Sequence, residues 1–110
     1  SKDLYIQQDK FHAQFAADVP ANDAKLMAST QRPIAEAALN EASGAPAWKY
    51  TPSWFIYGNR DLNIPPAALS FMANRANSKE TVVVNGASHV VMVSHSDAVA
   101  KLIDRAATAP

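Results

Sequence analysis

A chain of 110 residues has the size of one ordinary domain and can bury a core. Its 10 basic and 10 acidic side chains cancel and lie scattered, so neither nucleic acid nor an anionic membrane is an expected partner. With no cysteine, disulfides and thiolate metal sites are excluded, and no apolar run reaches the roughly 18 residues of a bilayer span.

The start, Ser1-Lys2-Asp3, is polar, without an apolar signal core or an initiator methionine. It reads as a chain that begins inside a longer protein or was processed; a trimmed start is the alternative. Leu4-Tyr5-Ile6 is a short apolar run, a strand scrap or an anchored extension. Asp9 is expected to cap a short helix in which Phe11 and Phe15, four apart, share a face. Val19-Pro20 closes that piece, because a residue before proline avoids the helical region. Asn22 is expected to cap a second helix, about Asp23 to Gln31, with Leu26 and Met27 as its apolar contacts. Arg32-Pro33 opens a third helix through Ile34, Ala37, Ala38 and Asn40-Glu41, ended by Gly44. So few large apolar residues make these helices poor core builders and reasonable covers.

Residues 45–52 form a proline-bracketed connector, and Ser53 to Gly58 follows as a strand. Pro65-Pro66 starts a helix to about Asn77 that would bury Leu69, Phe71, Met72 and Ala73. Thr81 to Val84 is a second strand, and a last helix from Ser94 or Ser96 sets Val99, Leu102, Ile103 and Ala106 at helical spacing. No internal repeat interrupts this order. Strand, helix, strand, helix over 53–107 is a parallel unit of an α/β fold, with a right-handed crossover. Both strands are continuously apolar, as expected when both faces are covered. Two parallel strands with open edges are not a stable sheet, so something outside this chain is expected to complete it.

Two strand ends carry the candidate chemistry. Trp54-Phe55-Ile56-Tyr57-Gly58-Asn59-Arg60-Asp61 puts an acid just past an apolar strand, where open α/β sheets place their sites. Val82-Val83-Val84-Asn85-Gly86-Ala87-Ser88-His89 repeats the arrangement with a histidine. Taken singly, Asp61 reads as a turn acid bonding backbone amides and His89 as a structural histidine. Taken together, in this order and with a helix between, they resemble the C-terminal part of the α/β-hydrolase family. Gly58, Asp61 and Pro65 satisfy its Gly-x-x-Asp-x-x-x-Pro pattern, and Gly86 and His89 its Gly-x-x-His turn. The chain is most similar in character to small bacterial esterase-like hydrolases.

That resemblance implies a partial α/β-hydrolase fold: a helical lid or cap segment over residues 1–50, then a β-α-β-α part of the core over 51–110. It implies hydrolysis of a small ester or similar acyl compound, with no metal or organic cofactor. Asp61 would hold the tautomer of His89, and His89 would take the proton of a serine nucleophile and return it to the leaving alcohol. The family's chain order is Ser, Asp, His, with the serine on a Gly-x-Ser-x-Gly elbow. The only glycines are Gly44, Gly58 and Gly86, so no such elbow exists in these 110 residues, and the oxyanion-hole donors that accompany it are missing too. The expected partner is therefore an N-terminal half carrying the serine, or a second copy completing the sheet as a non-catalytic oligomer. A small independent α/β binding protein with accidental matches leaves the two-stranded sheet unexplained. Ser88 reads as shaping its turn and Ser94 as a helix cap, neither in an elbow context. His95 reads as a surface or capping residue, and His12 as a packing residue that could face a cavity. No histidine spacing supports a zinc site built from His12, His89, His95 and Asp61. Trp48, Trp54, Tyr57 and Phe71 read as packing residues. Nothing in the sequence fixes a compartment; bacterial cytoplasm and periplasm both suit it.

Overall fold

The structure, a computed structural model, describes residues 2–110. Its first part is two short helices fastened by a small clip. Strand β1 (Asp3–Leu4) pairs antiparallel with β2 (Ile34–Ala35), Leu4 opposite Ile34. Helix α1 spans Gln8–Phe15 and α2 Ala21–Thr30. The expected caps move. Gln7 and Pro20 occupy the N-cap positions without a side-chain bond, and Asp9 and Asp23 sit in the first turns, where a carboxylate favours the helix dipole. Gln31 does the fastening instead: its amide brackets Ile6, accepting from Ile6 N at 3.0 Å and donating to Ile6 O at 2.8 Å.

The third helix is a correction. Ile34 and Ala35 are strand, and α3 covers only Glu36–Asn40. A β-branched residue just after proline finds a ladder partner in Leu4, and this shortens the helix from its N-terminal side. Glu41 is already extended, with ψ 135°, so Gly44 terminates nothing. The connector contributes one 3₁₀ turn, Ala47–Lys49.

The second part follows the expected order closely. Strand β3 (Trp54–Gly58) runs parallel to β4 (Glu80–Val84), in register from Trp54 opposite Glu80 to Gly58 opposite Val84. Helix α4 (Pro66–Arg75) crosses between them with proline in its first turn, and left-handed Asn77, φ 52°, ends the turn beyond it. The C-terminal helical region breaks at His95 into α5 (Val91–Ser94) and α6 (Ser96–Thr108). The two sheets are separate, each of two strands.

The core lies elsewhere than expected. Phe11, Ala16, Val19, Ala24, Ala28 and Val90 form its buried cluster, with Ile6, Phe15 and Met27 packed against it. Five of these six come from the alanine-rich helices and their linker, so those helices are core builders after all. Small side chains let α1 and α2 approach closely, and Phe11 and Phe15, ring centroids 5.0 Å apart, supply the bulk. The sheet is the less covered part. Alternate residues of β4 are exposed, Phe71 of α4 is 60% exposed and Ile103 of α6 is 62% exposed. Both strands are apolar on both faces, but only part of that surface is buried within this chain.

Candidate active site

The ends of β3 and β4 are locked together before any functional side chain is reached. A Cβ on Gly58 would run into the carbonyl oxygen of Ala87 and lie 2.7 Å from that of Ser88, so only glycine lets the β4 turn cross the β3 end this closely. Arg60 N donates to the Ala87 carbonyl at 3.0 Å. Asn59 ties the two turns side to side: its Oδ1 accepts from Gly86 N at 2.7 Å and its Nδ2 donates to Asn85 Oδ1 at 3.0 Å. Gly86 itself turns with φ 79°, a conformation that a side chain would strain.

On this frame Asp61 and His89 meet. His89 Nδ1 lies 2.7 Å from Asp61 Oδ2. A carboxylate only accepts, so the imidazole carries its proton on Nδ1 and donates. Asp61 is 3% exposed, and its other oxygen accepts the backbone N–H groups of Asn63 at 2.8 Å and Ile64 at 2.9 Å. Asp61 thus turns one oxygen to the backbone of its own turn and the other to His89. The backbone bonds fix the carboxylate plane, and the plane fixes the ring. Phe15 packs against that ring at 4.7 Å between centroids. The His89 side chain remains 25% exposed, and among the described residues Nε2 has no hydrogen-bond partner. An imidazole protonated on Nδ1 with an accessible, neutral Nε2 can accept a proton from a hydroxyl placed beside it.

The other candidates are not brought to this pair. His12 Nε2 is 2.8 Å from the carbonyl of Val19, which makes it a brace of the α1–α2 corner. His95 stands at the break between α5 and α6, with Nε2 3.2 Å from Asp18 Oδ2. Ser94 Oγ donates back to Val90 O at 3.3 Å, within its own turn, so Ser94 is no cap. Ser88 is buried and its hydroxyl donates to Asp18 Oδ1. Trp48 and Phe71 flank the guanidinium of Arg75, at 5.2 and 5.4 Å from their centroids, on the connector side of α4. Among the described residues no group of three or more histidine, cysteine or acidic side chains is arranged to hold a metal ion.

Sequence reasoning missed Asp18. It sits in the short link between α1 and α2 ahead of Val19-Pro20, where an acid carries no signal beyond that of a turn. Burial draws its pKa upward, but hydrogen bonding, first of all from the Ser88 hydroxyl, outweighs it and holds the carboxyl below its ordinary value of 3.8.

A model of the alpha/beta hydrolase family matches residues 2–102, nearly the whole chain, and the protein belongs to that family. The fold is accordingly a part of the α/β-hydrolase fold, with helices and a parallel strand pair as described above. No curated protein matches the chain.

Proposed function

We propose that this chain supplies the acid and the base of a serine hydrolase acting on esters or similar acyl compounds, Asp61 as orienter and His89 as general base and acid. The observation that carries the reading is the 2.7 Å contact of His89 Nδ1 with a buried carboxylate whose second oxygen is already saturated by two backbone amides. The nucleophile would come from an N-terminal half of the fold that adds its strands to the open sheet. Three observations support such a partner. An accessible surface of 7768 Å² exceeds the about 5,900 Å² expected of a folded monomer of this mass. The radius of gyration, 15.4 Å, likewise exceeds the about 13 Å of a compact domain of this length. An apolar groove lined by Pro52, Trp54, Ile56, Leu102 and Ile103, of about 570 Å³, runs along β3 where a further strand and helix would pack.

The substrate would be apolar on one side of the reacting carbonyl. Phe15, which packs on His89, also walls a cavity of about 610 Å³ with Ile6, Phe11, Met27, Ile34 and Leu39, a lining suited to a hydrocarbon-rich acyl or alkyl group.

Turnover of p-nitrophenyl acetate tests the reading, by the chain alone and mixed with an N-terminal half of the fold that carries the serine elbow. The chain alone is expected to match free imidazole. The mixture is expected to turn over ester, and His89→Ala is expected to abolish it, by a factor of about 10³ or more. Turnover by the isolated chain that His89→Ala removes would place a nucleophile within these 110 residues and overturn the division of labour. The same open sheet favours a second reading, a non-catalytic module that pairs its edge with a copy of itself. Light scattering decides it: a folded monomer at high concentration would rule it out.

A further inference from the structure

His89 is held from both sides by residues that themselves answer to the α1–α2 corner. Val90, immediately after it, is 3% exposed and sits in the core with Phe11, Val19 and Ala28. Ser88, immediately before it, is 2% exposed, and its hydroxyl donates to Asp18 Oδ1. Val90 N in turn points to Ser88 Oγ at 3.4 Å, so the hydroxyl lies inside the turn and faces the corner. Asp18 and Val19 are adjacent; one short link therefore bonds to the residue before His89 and shares a buried cluster with the residue after it. The second oxygen of Asp18 faces His95 Nε2 at 3.2 Å but receives no aligned hydrogen bond among the described residues.

We propose that Asp18 is a positioning residue for His89, acting through the Ser88 hydroxyl. The proposal rests on the reading of His89 and Asp61 as the base and its orienter. Asp61 sets the direction of Nδ1, and Asp18 sets the backbone from which the ring projects. The bonds of Asn59 and Arg60 hold the turn only as far as Ala87; beyond it the Ser88 hydroxyl ties the backbone on that side of His89 to the α1–α2 link, and with Ser88 released the imidazole can shift against Asp61. Asp18 touches no reacting atom in this scheme.

Nuclear magnetic resonance of the full 110-residue chain tests this without substrate or partner. A proton shared between His89 Nδ1 and a buried carboxylate gives a far-downfield, slowly exchanging resonance, assigned by its absence in His89→Gln. Asp18→Ala and Ser88→Ala are each expected to lose that resonance. Asp18→Asn, which keeps an oxygen to accept from Ser88, is expected to retain it. Persistence of the resonance in both alanine variants would overturn the proposal, even if they melt earlier, because a purely structural role predicts lost stability with an unmoved imidazole. Loss in Asp18→Asn as well would overturn the hydrogen-bonded route through Ser88. Should Asp18→Ala fail to fold, Ser88→Ala, which deletes a single oxygen, decides the question by itself. Absence of the resonance from the unsubstituted chain would instead refute the Asp61–His89 pair, and this proposal with it.

Discussion

Asp61 shows how one side chain can be asked for two things at once. Replacing it with alanine strips partners from two backbone amides and from the imidazole. A buried donor left unsatisfied costs about 1–3 kcal/mol, so Asp61→Ala should lower the urea midpoint clearly. Asp61→Asn should separate structure from chemistry. Its oxygen can still accept the amides of Asn63 and Ile64, while its NH₂ would face Nδ1 and drive the imidazole proton to Nε2. Stability should change little, and turnover in the reconstituted enzyme should fall by about 10⁴. Gly58 is the opposite case, a residue whose value lies in having no side chain. Gly58→Ala would press a methyl group into the Ala87 carbonyl and should cost about 1–3 kcal/mol, read as a shift in the same midpoint. The glycine patterns are legible in the sequence because close approach and left-handed backbone leave a residue-type signature. Asp18 leaves none, since its meaning depends on a contact with Ser88, 70 positions away.

At the scale of elements, the strands and α4 are legible in the sequence and the first half is much less so. A continuous apolar run bounded by proline and glycine identifies β3 almost unaided, and the Pro65-Pro66 start identifies α4. The α1–α2 pair departs from expectation because alanine contributes little hydrophobic area per residue yet permits close packing, an effect that composition does not reveal. Two phenylalanines measure the difference. Phe11→Ala, 3% exposed, should cost about 3–5 kcal/mol, enough to unfold a small domain. Phe71→Ala, 60% exposed, should cost about 0.5 kcal/mol or less; thermal melts of the two variants side by side check the ranking. The link between α1 and α2 also gives the fold an acid limit. The carboxyl of Asp18 titrates lower in the folded chain than in the unfolded one, so its contribution is complete above the unfolded value, about 4, and is lost as pH falls through the lower, folded value. Melting temperature followed from pH 5 downward should fall less steeply in Asp18→Asn than in the parent chain.

For the molecule as a whole, the separation between core and sheet matters most. The sequence carries strands apolar on both faces, and here that surface is only partly covered, as the exposed Val83 and Ile103 illustrate. The need for a covering partner is legible from two strands without edge protection; the partner's identity is not, because a strand edge is recognised by backbone groups that every residue type shares. The core, by contrast, joins α1 and α2 to the residue that follows His89. This has a consequence for how a substrate would come and go. A cover hinged at its ends could swing away and leave the imidazole standing, but here the cover and the imidazole's own backbone share one packed interior. Lifting α1 and α2 would pull Val90 out of its seat and take His89 with it. In this member of the family the helices packed against the histidine are a wall rather than a door, and on the proposed reading entry would run along the cavity beside Phe15.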